Sequence, residues 1–329
     1  FLFHARPTVD KPHVRDPLDL KRFMMMAIFA ILPAALGGIY FFGLRVLTMI
    51  LVSYAAGGAV EVVFAMVRKE QITEGFLVTG LIFPLILPPG LPLWMVALGV
   101  AFGVLVGKEL FGGTGRNLFN PALVGRAFLF LGYPVAMSRD YWFKPGGGGL
   151  GRALQYVSSA EAAALTSATP LSAARQGTYA DLSELFWGNV GGCVGETSAV
   201  LILAGGLFLI VTRIINWRSV LAVIGSFCAL GLFLNHFTPA DIGPVDWHLL
   251  AGGLMFGTFF MVTDPVTSPV TNGGKWAYGT LIGVVTLLIR SFTGYVEGIM
   301  FAILLGNIFA PLLDEVSFRF HCGRLQDEG

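Results

Sequence analysis

The chain has 329 residues, 55% hydrophobic and only 12% charged, with a formal net charge of +1 and a mean hydropathy of +0.75. Soluble domains carry about 25% charged residues, so half the usual charge is missing, and the near-neutral balance argues against nucleic acid as a partner. Three scattered cysteines, Cys193, Cys228 and Cys322, make neither a disulfide framework nor an iron–sulfur ligand set.

Residues 1–22 are polar and basic and contain no cleavable signal; a full-length apolar span follows. Spans are predicted near 23–42, 46–67, 75–89, 91–107, 121–137, 194–212, 219–236, 247–263, 277–291 and 296–313. The expected fold is an all-α integral membrane protein with about ten transmembrane helices, some broken into half helices, in two duplicated halves. The expected organisation is an N-terminal arm (1–22), a first transmembrane half (23–137), an extracytoplasmic loop (138–193), a second half (194–313) and a tail (314–329).

With the N-terminus inside, cytoplasmic segments hold 14 Lys and Arg residues and the outer side six, with Arg126 alone inside a span. That excess places both termini in the cytoplasm and the loop 138–193 outside, periplasmic in a Gram-negative cell.

The second span carries Gly57-Gly58, which either lets two helices approach closely or opens a ligand site. Glu61 follows; a carboxylate within a span is a functional candidate by default. The third span holds Pro84 and stops at Pro88-Pro89, and the fourth leads into Phe111-Gly112-Gly113-Thr114-Gly115-Arg116-Asn117 and Asn120-Pro121. The glycines lack the spacing of a nucleotide loop; they free backbone amides at a helix end. Asn117 and Asn120 either cap the next helix or offer side-chain amides to the donor–acceptor edge of a flavin.

The loop contains Thr166-Ser167-Ala168-Thr169-Pro170-Leu171, in which Thr169-Pro170 has the form of a helix cap followed by a first-turn proline. Glu196 opens the sixth span. Asp264-Pro265, Ser268-Pro269 and Asn272-Gly273-Gly274-Lys275 interrupt the second half where the first half is interrupted, and Asp314 closes the last span. Short, Pro/Gly-broken segments in matching places of two halves point to a binding site between repeats. Hard oxygen ligands from Glu61, Asp264 and Asp314 suit a cation such as Na⁺, with interfacial capping as the alternative for the two aspartates. No histidine pair has ligand spacing, so no haem or transition metal is expected.

Several stretches carry a resemblance: Val14-Arg15-Asp16-Pro17-Leu18-Asp19-Leu20-Lys21-Arg22, Lys108-Glu109-Leu110-Phe111-Gly112-Gly113-Thr114-Gly115-Arg116-Asn117, Gly125-Arg126-Ala127-Phe128, Thr263-Asp264-Pro265 and Ala310-Pro311-Leu312-Leu313-Asp314. Essentially the whole chain resembles the NqrB/RnfD family, which unites the B subunits of the Na⁺-translocating NADH:quinone reductases with the D subunits of the Rnf complexes; the stretches favour the quinone-reductase branch. The resemblance implies FMN joined to Thr169 through a phosphoester, installed by a flavin transferase outside the cytoplasm. Thr166 and Ser167 stand where that family has Ser and Gly.

It further implies non-covalent riboflavin near Asn117 and Asn120, a ubiquinone site at Gly57-Gly58, and Na⁺ passage involving Glu61, Asp264 and Asp314. The implied partners are an FMN-bearing C subunit, an NADH-oxidising F subunit, and the A, D and E subunits. The implied activity is electron relay from covalent FMN through riboflavin to ubiquinone, coupled to Na⁺ export in a bacterial inner membrane. Alternatives are the Rnf-type protein, which carries covalent FMN without this quinone site, and a small-solute channel.

Overall fold

The computed structural model describes residues 20–69, 74–145, 153–237, 243–293, 295 and 297–327. The arm stretch Val14–Asp19 that contributes to the resemblance therefore lies outside the described residues. Among the described residues every regular element is helical, and the one β-type contact is an isolated bridge between Phe143 and Thr166.

The first half contains α1 (Leu20–Phe42), α2 (Leu44–Arg68), α3 (Gly75–Leu85), α4 (Leu93–Gly107) and α5 (Pro121–Gly132). The second contains α9 (Ala199–Val211), α10 (Trp217–Phe237), α11 (Val245–Leu250), α12 (Leu254–Phe260), α13 (Asn272–Phe292) and α14 (Ile299–Asp327). Between them lie three short helices, α6 (Ser159–Ala164), α7 (Pro170–Ala174) and α8 (Leu182–Trp187).

Among the described residues, five helical stretches are long and apolar enough to cross a bilayer: Arg22–Phe42, Leu44–Arg68, Leu93–Phe111, Trp217–Phe237 and Ile299–Phe320. α3, α5 and α9 are apolar but short. The predicted span 247–263 is two pieces, α11 and α12, separated at Ala251–Gly253, where Gly252 has φ 68.

The breaks have local causes. α3 ends where Pro88 and Pro89 lack the N–H that would continue the ladder. α5 starts at Pro121 because the Asn120 side chain accepts from the N–H groups of Ala122 (3.1 Å) and Leu123 (3.4 Å). Gly43 alone joins α1 to α2, and its φ of 86 is the left-handed conformation that favours glycine.

Packing repeats between the halves. α1 packs on α3, α2 on α4, α3 on α5 and α4 on α5; correspondingly α9 packs on α12, α10 on α13, α12 on α14 and α13 on α14. Across the halves, the first members meet as α1 and α9 and the last as α5 and α14. The repeat therefore survives in packing where sequence similarity is weak. α4 and α5 approach closely through Gly99, Gly103 and Gly125: a Cβ on Gly125 would strike the carbonyl oxygen of Gly99.

Arg45 fastens the loop to this frame. Only 2% exposed, it donates to the carbonyls of Pro89 (3.1 Å), Gly90 (3.1 Å), Leu91 (2.8 Å) and Val157 (3.0 Å) and to Ser159 Oγ (2.5 Å). Arg45→Ala strands these buried acceptors and should destabilise the protein by about 3 kcal/mol. The check is the melting temperature of the detergent-solubilised chain, which should fall; an unchanged value would show that the loop is held by other contacts.

Candidate functional site

The segment 166–172 folds against the end of the first half. Thr166 Oγ1 donates to the Asp140 carbonyl (2.6 Å), and Ser167 N–H donates to the Trp142 carbonyl (2.7 Å). Thr169 is the N-cap of α7: its Oγ1 accepts from Ser172 N–H (3.3 Å) and donates to Ser172 Oγ (3.1 Å). Both bonds are long, and Thr169 is only half-buried, so the hydroxyl remains reachable. On the same segment, Ser158 and Glu161 form a capping box around α6, and the Ser158 N–H holds the Glu161 carboxyl below its usual range.

Thr169 stands on the wall of a cavity of about 760 Å³. That volume lies within the ~300–1,000 Å³ of small-molecule clefts. Phe130, Trp142 and Tyr295 give it an aromatic wall. Two residues of its lining, Ser167 and Arg126, each bury a polar atom, Oγ and Nε, that has no hydrogen-bond partner among the described groups. Space, aromatic lining and polar side chains with donors to spare together fit a group of FMN's size and chemistry.

Arg126, Glu196 and Glu297 also line this cavity. Arg126 Nη2 is bonded to Glu297 and lies 3.5 Å from Cys193 Sγ. Glu297 Oε1 accepts from Gly253 N–H (2.6 Å), and Glu196 Oε1 accepts from Cys193 N–H (2.7 Å). One ligand atom each from Cys193, Glu196 and Glu297 falls within 4.8 Å of the others. Because a guanidinium already holds Glu297, we read this group as a buried ion-pair network. Sequence reasoning gave no role to Arg126, Cys193 or Glu297. The available signal was Arg126 itself, a cation inside a predicted span that demanded a carboxylate.

At the opposite end of the bundle lies a smaller cavity of about 80 Å³, lined by Thr79, Lys108, Asn117, Asn120, Thr263 and Asp264. Broken segments of both halves thus converge here. At its present width it is narrower than the ~300 Å³ lower bound for ligand clefts, so a flavin would require the segments to part. Asn120 serves as the helix cap described above, and Asn117 Nδ2 donates to the Phe119 carbonyl (3.1 Å).

Glu61 is buried and paired with Lys108 at 2.5 Å, with both side chains almost fully enclosed. Lys108, counted from sequence among the cytoplasmic cations, is 3% exposed. Gly57, one turn before Glu61, packs on α4, where an added Cβ would lie 3.1 Å from Val100. Gly58 faces Phe76, with 3.9 Å left for a Cβ. The amides of Gly112 and Gly113 bond to the carbonyls of Glu109 and Lys108, closing a turn.

Asp264 accepts from Val266 N–H (3.2 Å) and Thr267 Oγ1 (3.1 Å) at the break after α12. Asp314 accepts from Val270 N–H (2.7 Å), Thr271 N–H (2.8 Å) and Thr271 Oγ1 (2.5 Å), tying α14 to the start of α13. Glu61, Asp264 and Asp314 are therefore each engaged by protein donors. α12 links the two ends: Gly252 before it lines the larger cavity, and Phe259, Phe260 and Asp264 line the smaller one.

A model for the "NQR2, RnfD, RnfE family" matches residues 8–322. The chain is similar to the B subunit of the Na(+)-translocating NADH-quinone reductase of Ectopseudomonas mendocina, 38% identical over 95% of this chain and 88% of that protein. It is similar to the B subunit from Pseudoalteromonas atlantica, 40% identical over 95% and 88%. It is also similar to the one from Yersinia pestis, 37% identical over 100% and 92%.

Proposed function

This chain belongs to the NQR2, RnfD, RnfE family, and we propose that it works as the NqrB-type membrane subunit of a Na⁺-translocating NADH:quinone reductase. In this reading Thr169 carries FMN as a phosphoester, and electrons pass from it through a riboflavin beside Asn117 and Asn120 to ubiquinone near Gly57-Gly58. The chemistry of electron uptake belongs to the flavins; the protein holds them and sets their surroundings. The observation that supports the reading is a half-buried Thr169 on the wall of the 760 Å³ cavity, whose lining also includes Ser167 and Arg126.

In this reading each residue has a role. Thr169 supplies the attachment oxygen, and Pro170 and Ser172 fix its direction through the cap. Phe130, Trp142 and Tyr295 exclude water from one face. At the inner end, Lys108 holds Glu61 until a cation replaces it, and Asp264 and Asp314 add hard oxygens along the same side. The termini face the cytoplasm and the loop carrying Thr169 faces outward, where the flavin transferase acts. The other subunits of the complex deliver electrons from NADH, since the chain has no dinucleotide fingerprint.

Acid precipitation of the purified complex tests this reading, because it separates free from covalent flavin. FMN should stay with this chain in the pellet and riboflavin should appear in the supernatant. Covalent FMN without riboflavin would favour the Rnf-type protein, and a flavin-free chain would contradict both.

A further inference from the structure

Attachment at Thr169 does not account for the charged side chains that line the same cavity. Arg126 is 5% exposed and lines the cavity; one edge of its guanidinium is bonded to Glu297 while Nε has no partner among the described groups. Behind it Arg290, 6% exposed, donates from Nη1 to the His248 carbonyl (2.8 Å), with Nε and Nη2 unmatched. The cap region reaches the same place: a Cβ on Gly252 would lie 2.5 Å from Leu171 Cδ1 and 3.2 Å from Arg290 Nη2. Buried donors left unmade cost about 1–3 kcal/mol each, so a guanidinium with unmade donors on a cavity's lining favours an acceptor there.

We propose that Arg126 is a positioning residue for a flavin ring held at Thr169, with its guanidinium facing the ring's acceptor edge and its charge balanced by Glu297. The proposal rests on the Thr169 reading above. A flavin ring that takes up two electrons and one proton carries a negative charge at its N1–C2 carbonyl edge. A cation at that edge favours the charged form, and a carboxylate beside the cation opposes it. The pair thus sets the potential by the difference of two opposite charges, and Phe130, Trp142 and Tyr295 supply aromatic surface on the cavity lining.

The test is a spectroelectrochemical titration of the Thr169-linked flavin in the intact purified complex, with in-gel flavin fluorescence to report attachment. Arg126→Gln should lower the midpoint potential, by about 30 mV for each tenfold loss in stabilisation of the two-electron-reduced form. Glu297→Gln should raise it, and Arg126→Lys should fall between wild type and Arg126→Gln. Shifts of opposite sign are what a merely structural pair would not produce. Fully flavinylated variants with unmoved potentials, or with shifts of the same sign, overturn the proposal. If Arg126→Gln does not accumulate, Glu297→Gln decides: a raised potential supports the proposal, and an unchanged or lowered one overturns it. A wild-type complex without covalent flavin is a separate result, which contradicts the Thr169 reading itself.

Discussion

Thr169→Ala is expected to abolish flavin fluorescence of the denatured chain on a gel and, with it, electron transfer from NADH to quinone. The substitution removes the only oxygen through which the proposed phosphoester can form. Its structural cost is small: Thr169 caps a helix of one turn through bonds of 3.1 and 3.3 Å, and losing such a cap costs about 1 kcal/mol. The variant should therefore accumulate in the membrane at close to wild-type levels. Thr169→Ser keeps both the cap and an attachment oxygen, and should retain fluorescence. Undiminished fluorescence in Thr169→Ala would move the attachment elsewhere, to a hydroxyl of the same segment such as Ser172, 3.1 Å away, Thr166 or Ser167.

Lys108→Ala is expected to be the most destabilising change around the smaller cavity. It leaves the Glu61 carboxylate buried without its counter-charge, which costs about 3–5 kcal/mol. The melting temperature of the solubilised chain should fall sharply. The double variant Lys108→Met/Glu61→Gln removes both charges while keeping volume and should recover most of the loss. That variant also separates the two roles of Glu61. If Glu61 takes up Na⁺, quinone reduction by the double variant should no longer respond to Na⁺; a wild-type response would leave Glu61 as half of a structural pair.

Much of the architecture was legible because the relevant physics is local. A missing half of the usual charge fixes the membrane class, and Pro88-Pro89, Asn120-Pro121 and Asp264-Pro265 mark breaks because proline cannot continue a helix. The caps at Asn120, Asp264 and Thr169 were legible for the same reason, as each bonds within three residues of itself. What local chemistry could not decide is whether a capping oxygen also meets a ligand, since one side chain serves either purpose.

The ion pairs were hidden by distance along the chain. Lys108 lies 47 residues from Glu61, and Arg126 lies 171 residues from Glu297. The first pair needs α4 packed on α2, and the second needs the last helices of the two halves to meet. A count of basic residues near span ends treats Lys108 as solvated, whereas the bundle encloses it. Charge counting gave a topology; only packing reveals which charges face each other.

The most direct measurement is mass spectrometry of the tryptic peptide Ala153–Arg175 from the native complex, because cleavage after Arg152 and Arg175 isolates the attachment segment without an internal basic residue. The account predicts a peptide heavier by one FMN less one water, with fragment ions assigning the added mass to Thr169. An unmodified peptide, or the same mass on Thr166 or Ser167, would contradict it.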